Sequence, residues 1–189
     1  MNDRKPDPAI VARDWWRDLQ ADRAAMAKLR RCHSPTEALF LPATLRLWRA
    51  LPLSRHQLER AGTLAVALAH VRQDAHEDAP NRSIAQAIGP GSLDTKHQHE
   101  PKLSQVRFRR LLLTDGQDEA ALMTAMVRLV RMLRGTVNVP DLAVSIVWWT
   151  DRTRQRWAFD YFNAGSARPG AGPAETDETA PALAAGDTP

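Results

Sequence analysis

Basic side chains recur at helical spacing in three places along this chain, where they could bind phosphate groups. The positions that we single out as nucleic-acid-binding are Arg23, Lys28, Arg30, Arg31, Arg107, Arg110, Arg128 and Arg131. A guanidinium group can hold two phosphate oxygens at once, and each phosphate that it neutralises releases counterions. We therefore predict salt-sensitive binding to a nucleic-acid backbone, without recognition of its sequence.

The clearest of these groups lies on a predicted amphipathic helix that begins at Asp115 or at Gln117-Asp118. Arg128, Arg131 and Arg134 step by three along it, so the side chains drift by about 60° per step and form a broad stripe. Few acidic residues interrupt this run. The alternative is that these cations only solubilise the outer face of a helical bundle.

Residues that could perform catalysis form weaker patterns. Cys32 and His33 are adjacent, and adjacent side chains at a helix end do not form an oriented nucleophile and base. His70 and Asp74 are four apart and could face one metal ion, and His76, Glu77 and Asp78 could supply further ligands. Their spacing matches no recognised metal motif, and a solvated turn is the simpler interpretation. We predict no enzymatic activity, cofactor or metal. A metal-dependent nuclease that uses His70, Asp74 and His76 stays an alternative.

The composition excludes several classes of protein. The 189 residues include 43% apolar and 25% charged side chains, which is typical of a soluble globular protein. No apolar stretch approaches the ~18 residues of a membrane span, and the first residues lack the apolar region of a secretory signal. The single cysteine, Cys32, cannot form an internal disulfide. We expect a cytoplasmic protein that does not bind a membrane.

Charge is unevenly distributed along the chain. Residues 1–163 contain 25 basic and 18 acidic side chains, whereas residues 164–189 contain one basic and four acidic ones. These last residues are mostly Gly, Ala, Pro and Thr, without periodicity. Because they offer too little apolar surface to offset the entropy of ordering, we predict a disordered C-terminal tail over residues 164–189.

The apolar periodicity before that tail predicts an all-α fold. The clearest amphipathic helix has one apolar face, formed by Leu122, Met126, Leu129, Val130 and Leu133, and Gly135 is its expected end. A short helix is predicted from Arg23 to Arg31. A capping box at residues 34–37 predicts a helix whose core-facing residues are Phe40, Ala43, Leu47 and Leu51.

Periodicity fades between Asp74 and Lys102, where proline, glycine and histidine are frequent. Loops of this length usually link domains or carry function. The simplest architecture is two small helical bundles joined by a loop. We place an N-terminal bundle at residues 1–90, a linker at 91–102 and a C-terminal bundle at 103–163.

Two tryptophan pairs, Trp15-Trp16 and Trp148-Trp149, occur near opposite ends of the predicted fold. Adjacent residues on a helix point about 100° apart. We expect one member of each pair to fill the core and the other to lie near a surface or an interface. An exposed tryptophan would favour a protein partner over a stacked base.

Three segments resemble a known family in the same order along the chain. The first joins Arg13-Asp14-Trp15-Trp16 to the run Leu29-Arg30-Arg31-Cys32-His33-Ser34-Pro35-Thr36-Glu37-Ala38-Leu39. The second is Leu103-Ser104-Gln105-Val106-Arg107-Phe108-Arg109-Arg110-Leu111-Leu112. The third joins Val147-Trp148-Trp149 to Arg156-Trp157-Ala158-Phe159-Asp160-Tyr161-Phe162. Together they are similar to the CasB family, the small subunit of the type I-E CRISPR surveillance complex Cascade, over about residues 10–163.

The resemblance implies a non-catalytic helical subunit, present in two copies, that contacts other Cascade subunits and stabilises the R-loop of guide RNA and target DNA. It implies that Arg30 and Arg31 match a basic pair of the early helix, and that Arg107 and Arg131 match basic positions of the C-terminal bundle. The other four predicted residues rest on charge pattern alone. The acidic tail departs from the family. A protein–protein adaptor anchored by Trp148 or Trp149, without nucleic-acid contact, is the alternative.

Overall fold

The computed structural model describes residues 6–164, which are mainly helical. The α-helices in that range are α1 (Pro8–Ala21), α2 (Arg23–Arg31), α3 (Pro35–Leu39), α4 (Pro42–Ala50), α5 (Leu58–Ala69), α6 (Ile84–Ile88), α7 (Gln105–Leu112), α8 (Glu119–Met132), α9 (Val139–Val147) and α10 (Asp151–Tyr161). Short 3-10 turns lie at Arg55–Gln57 and Thr95–His97. The all-α prediction is confirmed. The predicted disordered tail falls, except for Ala164, outside the described residues.

Two dipeptides form a small parallel sheet that the sequence does not indicate. Strand β1 (Gln73–Asp74) pairs with β2 (Thr136–Val137), with Gln73 opposite Thr136. Strands of two residues are too short to show alternation of apolar and polar side chains, which is the usual sequence signal of a strand. The sheet nevertheless ties the end of α5 to the end of α8.

The helix predicted to run from residue 35 to residue 51 is in fact two helices. Pro42 occupies the first turn of α4, and the residue before it, Leu41, is extended, with φ −95° and ψ 125°. A residue that precedes proline avoids the helical region, so α3 ends before it. The expected core position of Phe40 is therefore wrong: the side chain is 82% exposed, whereas Ala43, Leu47 and Leu51 are buried.

Local capping signals place several other helix ends correctly. Helix α2 begins and ends where predicted, and the Asp22 carboxylate accepts a hydrogen bond from the Ala25 backbone nitrogen. At the end of α8, the Gly135 nitrogen donates to the Val130 carbonyl and the Arg134 nitrogen to that of Arg131, both at 2.9 Å. This is the Schellman pattern, in which Arg134 itself adopts a left-handed conformation with φ 57°.

Helix α5 lies at the centre of the fold. Its residues 60–69 are all buried, and it packs against α2, α3, α4, α8 and α9. Gly62 is needed for close approach, because a Cβ atom there would collide with the Pro35 carbonyl of α3. Helices on both sides of the predicted linker contribute to one hydrophobic cluster. The division into bundles of residues 1–90 and 103–163 stays a prediction.

Each tryptophan pair is divided between core and surface, as expected. Trp16 and Trp149 are buried, whereas Trp15 is half-buried and Trp148 is 41% exposed. The Trp149 indole nitrogen donates to the Thr114 carbonyl at 3.1 Å. This buried indole therefore fixes the loop before α8 against the end of α9.

A buried guanidinium group joins the start of α5 to the later helices. Arg60 donates from Nε to the Glu119 carboxylate at 2.6 Å and from Nη1 to the Ile146 carbonyl at 2.8 Å. Its Nη2 donates to the Gly116 carbonyl. The second carboxylate oxygen of Glu119 accepts from the Thr63 hydroxyl at 2.9 Å. All three guanidinium nitrogens are satisfied, as a buried charge requires.

We predict that Arg60→Met strongly destabilises the fold. The substitution leaves the Glu119 carboxylate without its cation in a poorly hydrated position, which costs about 3–5 kcal/mol for a buried pair. Urea denaturation at pH 7 measures the loss. Arg60→Met combined with Glu119→Gln should recover part of it, because the unpaired charge is then gone. A cost below about 1 kcal/mol for the single variant would contradict this role.

Candidate nucleic-acid interface

The predicted phosphate-binding residues are all exposed, and none of them forms an ion pair with a carboxylate of residues 6–164. By contrast, several other arginines are neutralised by acids: Arg13, Arg17, Arg60, Arg154 and Arg156. The cations thus divide into those that hold the fold together and those that keep their charge available.

Two predicted residues that are distant in sequence meet at the C-terminal end of α5. Arg30 of α2 donates from Nε to the Ala69 carbonyl at 2.5 Å. Arg131 of α8 lies with its Nη2 3.4 Å from Nε2 of His70. A helix C-terminus carries partial negative charge, which favours cations there. We call Arg30, His70 and Arg131 the His70 cluster.

The His70 imidazole is held neutral within this cluster. Burial lowers its pKa to about 4, with further lowering by the charges of Arg131 and Arg30. At neutral pH the ring therefore accepts a hydrogen bond from the Arg131 guanidinium. The cluster keeps two positive charges and no carboxylate pairs with them, so a phosphate group would relieve their mutual repulsion.

Arg72 adds a cation that the sequence analysis missed. Its backbone nitrogen donates to the Gly135 carbonyl at 2.9 Å, and its side chain crosses Gly135 so closely that a Cβ atom there would lie 2.9 Å from Arg72 Cγ. Gly135 has a φ of +83°. Only the β1–β2 pairing brings these residues together, and no local pattern indicates that pairing.

Three more predicted residues, Arg107, Arg110 and Arg128, line one groove between α7 and α8, with a volume of about 730 Å³. The arginines are exposed, whereas the other large side chains of the groove include the buried Leu103, Leu111 and Leu129. The groove therefore has a cationic rim and an apolar floor. We call it the α7–α8 groove.

Helix α8 connects this groove with the His70 cluster. Arg128 lines the groove and Arg131 contacts His70. Residues three apart on a helix are neighbours, with Cβ atoms about 5–6 Å apart. Arg23, Lys28 and Arg31 are exposed on α2, but no hydrogen bond or ion pair in the described chain joins them to either group. One surface thus contains five of the eight predicted residues: Arg30, Arg107, Arg110, Arg128 and Arg131.

The metal-site alternative does not fit the geometry of Asp74. One carboxylate oxygen accepts from Arg13 Nε at 2.8 Å, and the other accepts from the backbone nitrogens of His76 and Val139 at 3.0 Å. This carboxylate fixes β1 and the start of α9. Across residues 6–164, no three His, Cys, Asp or Glu side chains are arranged to hold a metal ion.

The family model described as CRISPR-associated protein Cse2 matches residues 25–162. The chain belongs to the Cse2 family. Cse2 is the CasB small subunit of type I-E Cascade, so the resemblance found in the sequence is confirmed. The matched range contains seven of the eight predicted residues and leaves out Arg23.

A chain of the crystal structure of E. coli Cascade bound to a PAM-containing dsDNA target (32-nt spacer) is similar in structure. The TM-score is 0.51 and the sequence identity 22%, over 79% of this chain and 95% of the other. This likeness shows that the two chains share a fold. No curated protein matches the chain at a significant level. Among the described helices, none has the length and apolarity to cross a membrane.

We predict that the neutral state of His70 makes stability depend on pH. The pKa of His70 lies near 4 in the folded chain and near 6.5 when unfolded, so the unfolded state binds a proton first. The contribution of neutral His70 to the free energy of unfolding is complete above pH 6.5 and is lost as pH falls toward 4. Solvent screening of this half-exposed ring reduces it to about 1–2 kcal/mol.

Urea denaturation at pH 7, 5.5 and 4.5 tests this against His70→Gln, which does not titrate but can still accept a hydrogen bond from Arg131. The wild type should lose more stability than the variant as pH falls. Equal losses in the two proteins would show that His70 titrates normally.

Proposed function

We propose that this Cse2-family protein is a non-catalytic small subunit of a type I-E Cascade complex in the cytoplasm. In this role it contacts other Cascade subunits, the guide RNA and the target DNA, and two copies act in each complex. It stabilises the R-loop through its unpaired arginines. The observation that carries the proposal is the continuous cationic surface of the His70 cluster and the α7–α8 groove, within which no arginine pairs with a carboxylate of the described chain.

The mechanism requires no bond-making chemistry. Opening a DNA duplex against a guide RNA exchanges one duplex for another of nearly equal stability, so a few protein contacts to the backbone decide the balance. Hydrogen bonds from guanidinium groups to phosphate oxygens are charge-assisted and about twice as strong as neutral ones. Such contacts act on every target sequence alike, because phosphates carry no sequence information.

Exposed apolar side chains support contacts with protein partners. Val106 and Leu113 of the α7 region are 72% and 71% exposed, and Trp148 is 41% exposed. Trp149, the other proposed anchor, is buried and cannot contact a partner. These side chains favour the second candidate function, an adaptor that binds only protein. The adaptor leaves the unpaired arginines without a role.

We predict that Arg107→Ala combined with Arg131→Ala weakens binding to single-stranded DNA. Each lost phosphate contact should reduce the slope of log affinity against log salt by ~0.7, so the double variant should lose about 1.4. Fluorescence anisotropy of a labelled strand over a salt series measures both slopes.

The matched control is Arg46→Ala combined with Arg49→Ala, which removes the same charge from α4. Both control residues are exposed, and α4 packs against α1, α3 and α5. Its salt slope should equal that of the wild type. If both double variants lost the same amount of salt slope, the change in net charge alone would explain the loss. Absence of binding by the wild type at low salt would contradict the proposal and favour the adaptor.

A further inference from the structure

We infer that the acidic residues Glu175, Asp177 and Glu178, which follow the described structure, dock in the α7–α8 groove and compete with nucleic acid for its arginines. The docking itself rests on the groove and on charge complementarity. The competition rests in addition on the proposed function.

The groove offers both kinds of contact that this segment requires. Arg107, Arg110 and Arg128 line it, and none of them is paired with a carboxylate in residues 6–164. The acid among the lining residues, Asp118, caps α8 by accepting from the Ala121 backbone nitrogen. The three acids at 175–178 are followed by the small apolar run 180–183, Ala-Pro-Ala-Leu. Acids for the rim and apolar groups for the floor thus occur together in one short segment.

The chain leaves the described structure beside this groove. The Tyr161 ring, at the end of α10, stacks on Phe108 with centroids 4.0 Å apart, and its hydroxyl donates to the Leu103 carbonyl at 2.7 Å. Leu103 lines the groove, and Phe108 is adjacent in sequence to Arg107, which also lines it. The last described residues are therefore anchored on the helix that forms one wall.

The number of residues in between is sufficient. Eleven peptide units separate Ala164 from Glu175 and span at most ~36–40 Å. Helix α8, which forms the other wall, has 14 residues and is about 21 Å long. The intervening residues can therefore span more than the full length of this wall.

Tethering makes weak ion pairs effective here. An exposed ion pair contributes little by itself, but a short linker raises the effective concentration of the segment to the millimolar range. A nucleic-acid backbone presents more negative charges than the segment and therefore displaces it. Docking of the segment thus weakens the binding of nucleic acid to the groove. Other possible occupants of the groove are a second copy of this chain and another protein.

A zero-length cross-link in the full chain tests the docking directly. Arg107→Lys keeps the charge at the rim and introduces a primary amine, which carbodiimide treatment couples to a contacting carboxylate. Mass spectrometry should show position 107 joined to Glu175, Asp177 or Glu178 of the same chain, with a yield that does not depend on protein concentration and that falls with salt. The matched control is Arg49→Lys on α4, which should give no such product.

Two results of this experiment would overturn the docking. Cross-links from positions 107 and 49 in equal yield would show that the acidic residues have no preferred site. A product that joins two chains, identified by mixing isotopically labelled and unlabelled protein, would assign the groove to a second copy.

The competition is tested by neutralising the segment in the full chain with E175Q, D177N and E178Q. Low-salt affinity for single-stranded DNA should rise about three- to tenfold, the range expected when a few exposed ion pairs no longer compete. The control Asp187→Asn removes a later acid and should leave the affinity unchanged. Equal affinities for the wild type and the triple variant would overturn the competition.

The two assays separate the inference from the proposed function. The cross-link without DNA binding by any variant would support the docking and contradict the nucleic-acid role. DNA binding that the triple variant does not alter, together with absence of the cross-link, would contradict the docking and leave the nucleic-acid role intact.

Discussion

The buried guanidinium of Arg60 is the interaction on which the rest of this structure depends. It is satisfied only when the first turn of α8, the end of α9 and the Gly116 loop all lie against the start of α5. Fixing the first turn of α8 in this way also directs its far end. About 14 Å and 18 Å along the helix, Arg128 and Arg131 reach the groove and His70. The charged surface is therefore a consequence of a charge buried at the other end of the same helix.

The arginines of this protein have two distinct uses, and the presence of a carboxylate partner distinguishes them. Arg60 and Arg13 are paired with Glu119 and Asp74 and hold elements that are distant in sequence. The arginines of the His70 cluster and of the groove have no such partner among residues 6–164. Keeping charges unpaired on adjacent helices costs stability through repulsion. A polyanion that binds there would offset this cost. The gathering of several unpaired arginines into one surface therefore indicates function, whereas the ion pairs of Arg60 and Arg13 indicate folding.

Local signals allowed much of the fold to be predicted. Helices α2 and α8 follow from caps and from 3.6-residue periodicity, and the division of the Trp15-Trp16 pair on α1 follows from helix geometry. The break at Pro42 shows where a longer-range pattern misled: Phe40 fits the apolar spacing, but the proline ends the helix. The two-residue strands gave no signal because alternation needs a longer segment.

The candidate site was predictable as a set of residues but not as an arrangement. The charge pattern identified Arg30 and Arg131 but not their contacts. Arg30 bonds to the Ala69 carbonyl, 39 positions away, and Arg131 contacts His70, 61 positions away. Such pairings depend on how α2 and α8 pack on α5, which composition and periodicity do not specify. Arg72 was missed for the same reason, since only the β1–β2 pairing places it over Gly135.

The most direct test of the account is the lifetime of the R-loop in Cascade assembled with the Arg107→Ala, Arg131→Ala chain, measured on several unrelated target sequences. Because these arginines are proposed to contact phosphates, which carry no sequence information, the R-loop lifetime should shorten by a similar factor, about tenfold, on every target. Shortening confined to particular sequences would contradict the account, as would lifetimes equal to those of the wild type.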